Sequence, residues 1–151
     1  MNRLLPERHQ RPTPARLTGP GRLLVAVYGI FALAATARAA FQIATKFDHA
    51  PVAYLLSAFA AVVYIIATVA LARPGRNAYA TGLAAVSIEL AGVLGVGLFG
   101  LLDPAALPDD TVWSGFGMGY GYVPLLLPVV GLWWLLTHRD TTAPGGRKAR
   151  A

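Results

Sequence analysis

Residues 80–102 read ATGLAAVSIELAGVLGVGLFGLL, an apolar run with a single carboxylate, Glu89, near its middle. A helix that crosses the hydrocarbon core of a bilayer needs about 20 apolar residues, and this stretch has that length. On a helical wheel Gly82, Ala85, Glu89, Gly92, Val96 and Gly100 fall on one face. Leu83, Leu90, Leu94, Leu98 and Leu101 gather on the other. Leucine suits a lipid-facing surface, and small residues let a neighbouring helix come close. Glu89 is therefore expected to point into a bundle, against other helices.

The rest of the chain agrees with a membrane setting. Of its 151 residues 56% are hydrophobic and 13% charged, and the mean hydropathy is +0.53. That is far from a soluble domain, and the length allows one bundle. The formal charge of +6 comes from cations at the ends of apolar runs. Topology and anionic lipid headgroups account for cations placed there, so nucleic acid is not expected as a partner. With no cysteine, thiol redox chemistry, disulfides and thiolate metal sites are excluded. His9, His49 and His138 lie outside the apolar runs, which argues against a haem held between helices. No cofactor or metal is expected.

Working outward, four spans are predicted, at about 22–45, 51–72, 80–102 and 114–137. Residues 1–21, with Arg3, Arg8, Arg11 and Arg16 among prolines, read as a disordered basic arm, and 139–151 as a disordered basic tail. Span one places Phe31, Ala34, Ala35, Arg38, Gln42 and Thr45 on one face. It also admits a rival reading, in which the apolar run before Ala37-Arg38-Ala39 is a signal peptide cleaved after Ala39. Pro51 suits the first turn of span two, whose stripe of Tyr54, Ser57, Ala61, Tyr64 and Thr68 suggests interhelical hydrogen bonds. Arg73-Pro74-Gly75-Arg76-Asn77 is a helix stop and turn.

An acidic loop follows the Glu89 span, and Trp113 then reads as an interfacial belt residue. Span four opens on Gly115, Gly117, Gly119 and Gly121. A lone strand cannot satisfy its backbone in lipid, so a helix is expected. On it Gly117, Tyr120, Gly121, Pro124, Pro128 and Gly131 would form a packing and kink face, with Gly117 and Gly121 at GxxxG spacing. Trp133 and Trp134 mark the far interface. Orientation follows from the cations. Eleven Lys and Arg lie on the side of the termini and the second loop, against Lys46 alone on the other. The expectation is an all-α, up-down-up-down transmembrane four-helix bundle in the cell membrane with both termini cytoplasmic.

Ionisable residues inside a membrane are functional hypotheses by default, and here they are Arg38 and Glu89. Arg38 lies about 10 Å from the outer end of its helix and Glu89 about 20 Å from the outer end of its own. Arg38 leans toward the N-terminus and so toward Glu89, making an intramembrane polar centre of Arg38, Glu89 and Gln42. Three readings remain open. The two charges form a structural pair; Glu89 binds a proton or cation; or a protonated Glu89 donates to a carbonyl, such as that of Tyr120, freed by Pro124.

The stretches RAAFQIATKF (38–47), APVAYLLSAFAAVVYIIATVAL (50–71) and FGMGYGYVPLLLPVVGLWWLL (116–136) resemble small, uncharacterised four-span integral membrane proteins of high-GC Gram-positive bacteria. The resemblance covers the spans and not the tails. It implies a fold and a membrane location, and carries no activity to transfer. Small multidrug transporters have four helices and a membrane glutamate, but in the first helix and with a weak cation bias. Four-helix quinone-reducing oxidoreductases need cysteines. Neither fits. The expected role is a structural or accessory partner of other membrane proteins or of a second copy, and not an enzyme. The alternative is a small proton- or cation-coupled transporter using Glu89.

Overall fold

The computed structural model describes residues 19–139; the N-terminal arm to residue 18 and the tail from residue 140 lie outside the described residues. Four α-helices, α1 (Pro20–Lys46), α2 (Pro51–Ala72), α3 (Arg76–Leu102) and α4 (Val123–Thr137), account for most of the described chain. Two 3-10 segments, Pro104–Ala106 and Ser114–Tyr120, lie between α3 and α4, and no strand occurs among the described residues. Pro20 and Pro51 open α1 and α2, where a missing N–H costs nothing and the fixed φ is already helical. α1, α2 and α3 are long and apolar enough to cross a membrane. A fourth crossing exists only if Ser114–Tyr120 and α4, bent by 100°, are counted as one span.

Consecutive helices run antiparallel. Gly29 of α1 lies against Thr68 of α2, and Gly82 of α3 lies against Ala70 and Leu71 of α2 and Leu135 of α4. Four residues along α3, Val86 meets Gly131, four residues earlier in α4. The buried seams follow a 3.5-residue period. On α1 they are Gly21, Leu24, Tyr28, Ala32, Ala35, Ala39 and Gln42, and on α3 Gly82, Val86, Glu89 and Val93. That period keeps one stripe of each helix against its neighbours along its length. The outward faces carry Leu23, Ile30, Leu33, Leu94, Leu98 and Leu101, all exposed. In a bilayer those side chains meet lipid, where their exposure carries no hydrophobic cost.

The single helix predicted for the fourth span is corrected by the structure. Residues 114–122 are not the first turns of a long helix. Gly115, Phe116, Gly117, Gly121 and Tyr122 all have positive φ, and no α-helix continues through such residues. Pro124 sits in the first turn of α4, so it starts that helix instead of kinking it, while Pro128 lies buried inside it. Gly117 and Gly121 therefore do not form a GxxxG packing face. Gly117 is buried against the Pro124 ring, and Gly121 is an exposed turn residue with no neighbour within reach. α4 has 15 residues, or about 22 Å, which is short of the roughly 30 Å hydrocarbon core.

Trp113 is also corrected. It is 1% exposed, and its ring fills the space over Gly92 of α3, where a Cβ would come within 2.5 Å of it. Phe116 packs over Gly97 in the same manner. The glycines of α3 thus receive rings from the 113–116 segment, which folds down onto the bundle. Of the paired tryptophans, Trp133 is exposed, whereas Trp134 is buried and stacks on His138 with ring centroids 3.7 Å apart.

Candidate functional site: a sealed glutamate beneath a pinned loop

Glu89 has no exposed surface. Its Oε2 accepts a hydrogen bond from the Tyr28 hydroxyl at 2.7 Å. The Tyr64 hydroxyl lies beside the same carboxyl and accepts from Trp113 Nε1 at 3.3 Å. Oε1 has no partner in hydrogen-bonding geometry. Tyr28 and Tyr64 are completely buried, brought together by the seams of α1 and α2 with ring centroids 6.2 Å apart. Gly131 of α4 leaves the room that the Tyr28 hydroxyl occupies; a Cβ there would lie 3.1 Å from it.

Arg38 belongs to a second cluster. One guanidinium nitrogen donates to the Tyr120 hydroxyl at 2.8 Å, and the other to the backbone carbonyl of Asp110 at 2.7 Å. The Tyr54 hydroxyl donates to Asp109 Oδ2 at 2.8 Å, and the Asp110 amide to Asp109 Oδ1 at 2.9 Å. Thr111 and Ser114 close a small turn through the Thr111 amide and the Ser114 hydroxyl, 2.9 Å apart. Leu107 packs on Ala50, Ala53 and Tyr54. Side chains of α1 and α2 thereby hold the loop 103–113 against the bundle.

The two intramembrane charges do not meet. Phe31 lies between the clusters, with its ring centroid 5.8 Å from Tyr64 and 6.0 Å from Tyr120. Arg38 spends its donors on the loop and on Tyr120, over whose ring it also sits at 5.9 Å. A loop carbonyl near the C-terminal end of α1 satisfies a guanidinium without burying it deeper, which favours this arrangement over a reach to Glu89. The expected pair is thus replaced by two centres. Nor does Glu89 take up a carbonyl of Tyr120; its partner is Tyr28. Gln42, the third member of the expected centre, is 5% exposed with an unpartnered Oε1, and no hydrogen bond ties it to either cluster.

No family model, curated protein or solved structure matches the chain. No group of three or more His, Asp or Glu stands where it could hold a metal among the described residues. Cavities of ≈ 510, ≈ 450, ≈ 310 and ≈ 170 Å³ lie on the surface, and Glu89 lines none of them.

Tyr28 is the residue that the sequence reading missed. Its signal was the seven-residue step Gly21, Tyr28, Ala35, Gln42, which marks the α1 seam. Of the span-two stripe, Ser57 and Thr68 return their hydroxyls to their own helix, at Ala53 and Tyr64. Tyr54 and Tyr64 alone among those hydroxyl groups reach other elements.

The Asp109 carboxyl is held below the usual carboxylate range, chiefly by the Tyr54 hydroxyl and further by the Asp110 amide and the nearby Lys46 and Arg38 charges. A lowered folded-state pKa means that the contact stabilises the fold above the unfolded value, about 3.9. The contribution is lost as pH falls through the lowered value. Asp109→Asn is therefore expected to melt below wild type in detergent at neutral pH, with the difference closing as pH falls through the lowered value of the Asp109 carboxyl. A pH-independent difference would contradict the carboxylate's role.

Proposed function

We propose that the chain is a four-span protein of the cell membrane, up-down-up-down with both termini cytoplasmic, acting as a structural or accessory partner of other membrane proteins. The observation that carries this is the closure of Glu89, the one carboxylate at depth, behind Tyr28, Tyr64 and Trp113 and away from every cavity described above. A carrier needs water to reach its coupling carboxylate from at least one side, whereas a packed polar contact does not. The bent pair of Ser114–Tyr120 and α4 supplies the fourth crossing in this reading. No reaction chemistry is assigned, and the protein is read as not an enzyme. Native purification followed by identification of co-purifying membrane proteins tests the role: a reproducible partner supports it, and a chain that always purifies alone counts against it.

The orientation rests on charge. Arg22, Arg73, Arg76 and Arg139 stand at one end of the helices, and Lys46 with Asp48, Asp103, Asp109 and Asp110 at the other. Reporter fusions at Ala143 and within 73–77 are expected to read cytoplasmic, and one within 105–111 external. A cytoplasmic signal from the acidic loop would overturn the topology.

One observation favours the second reading, a proton- or cation-coupled transporter: Glu89 Oε1 is buried and without a partner. Buried polar atoms are nearly always paired, so an orphan is a place where a proton or ion could sit.

A further inference from the structure

Two grooves flank the cytoplasmic half of α2 and share a ridge. The first, ≈ 510 Å³, lies between α2 and α3 and is lined by Ile65, Ile66, Val69, Arg73, Asn77 and Thr81, among others. The second, ≈ 450 Å³, lies between α2 and α1 along Gly29, Ile30 and Leu33. Ile65 and Val69 belong to both and are themselves 43% and 42% exposed. The second groove is almost wholly apolar. The first is apolar until its end at the α2–α3 turn, where Arg73, Asn77 and Thr81 stand.

The Arg73 amide donates to the Ala70 carbonyl at 3.3 Å, but its guanidinium makes no hydrogen bond or ion pair with any described residue, and the turn 73–77 contains no acid. This cation at the mouth of a bifurcated apolar trough therefore has no counter-charge among the described residues. A soluble anion would leave both troughs empty, and an apolar helix would leave Arg73 unanswered. A molecule with one anionic head and two hydrocarbon chains satisfies all three features.

We propose that the α2–α3 turn is a binding site for an anionic diacyl phospholipid, its phosphate on Arg73 beside Asn77 and Thr81 and its two chains on either side of the Ile65–Val69 ridge. Basic pockets between helices at the cytoplasmic face are suited to such headgroups. The proposal uses the membrane placement of α1 to α3 and is independent of any accessory role. It also gives the cation bias a local structural use beyond orientation.

The test is native mass spectrometry of the full-length protein from detergent mixed with phosphatidylglycerol, compared with phosphatidylcholine of the same chains and with inorganic phosphate. One to two phosphatidylglycerol adducts should persist, phosphatidylcholine adducts should be at least about fivefold fewer, and phosphate should not bind, since one cation near a lipid surface contributes about 1 kcal/mol. Arg73→Gln should lower phosphatidylglycerol retention about fivefold, while Arg76→Gln, which does not line the groove, leaves it unchanged. Val69→Trp, which fills the ridge, should reduce retention with the charge intact. Equal retention of the two lipids would show that the headgroup charge is not read, equal losses in Arg73→Gln and Arg76→Gln would show only general surface charge, and either result would overturn the site. Binding of free phosphate with the same Arg73 dependence would overturn the lipid assignment. Because lipid retention reads neither orientation nor partners, its failure is separable from failure of the proposed role.

Discussion

Gly117→Ala is expected to destabilise the protein by about 2–5 kcal/mol, and Gly121→Ala by about 1–2 kcal/mol. Both positions have positive φ, +82° and +63°, so either alanine pays the left-handed penalty. Only Gly117 has a rigid neighbour. A Cβ there would lie 2.7 Å from three ring atoms of Pro124, which is buried and opens α4. A proline ring cannot rotate away, so the first turn of α4 must move. Thermal melts in detergent measure the difference. If residues 114–137 formed one helix, each glycine would accept alanine at the same small gain from helix propensity. Equal and slight effects would therefore contradict the break.

The same positions show where sequence reading stopped. The helical period and proline placement located α1, α2 and α3 to within a few residues, because apolar length is the strongest constraint a bilayer imposes. Around 114–122 the local pattern was ambiguous. Alternating glycine fits a strand, a helix or a turn, and only the contacts of Trp113 with Gly92 and Phe116 with Gly97 decide for a segment folded onto α3. Those contacts join residues about 20 apart with no periodic signature. Glu89 was visible as a buried carboxylate, and its burial is complete. Its partner was not visible, since a charge in a membrane suggests an opposite charge and a tyrosine answered instead. Arg38 was likewise legible as a cation within its span, but it was expected to lean toward Glu89, and its actual acceptor, a loop carbonyl, carries no mark in the sequence.

The second large effect concerns that glutamate. Glu89→Ala is expected to cost on the order of 3 kcal/mol, by opening a cavity and leaving the Tyr28 hydroxyl without its acceptor. Tyr28→Phe leaves the carboxyl as the unpartnered group and should cost about 1–3 kcal/mol. Glu89→Gln keeps an acceptor of the same shape for Tyr28 and should retain most of the stability. In double-mutant cycles Tyr28 and Glu89 should couple by at least about 1 kcal/mol, being hydrogen-bonded and mutually buried. Arg38 and Glu89 share no partner, so Arg38→Met and Glu89→Gln should add to within about 0.5 kcal/mol. A strong Arg38–Glu89 coupling would restore the ion pair in place of the two separate centres. Arg38→Met alone should loosen the 103–113 loop, read as faster proteolysis there, with the helices intact.

Glu89 is proposed as a sealed structural group and not a transport site. Proton flux into proteoliposomes carrying an entrapped pH-sensitive dye, driven by an imposed pH gradient, tests it most directly. Wild type and Glu89→Gln are both expected to match protein-free vesicles. A wild-type flux that Glu89→Gln abolishes, with the variant still folded by its melt, would contradict the claim and establish the carboxylate as a proton-coupling site.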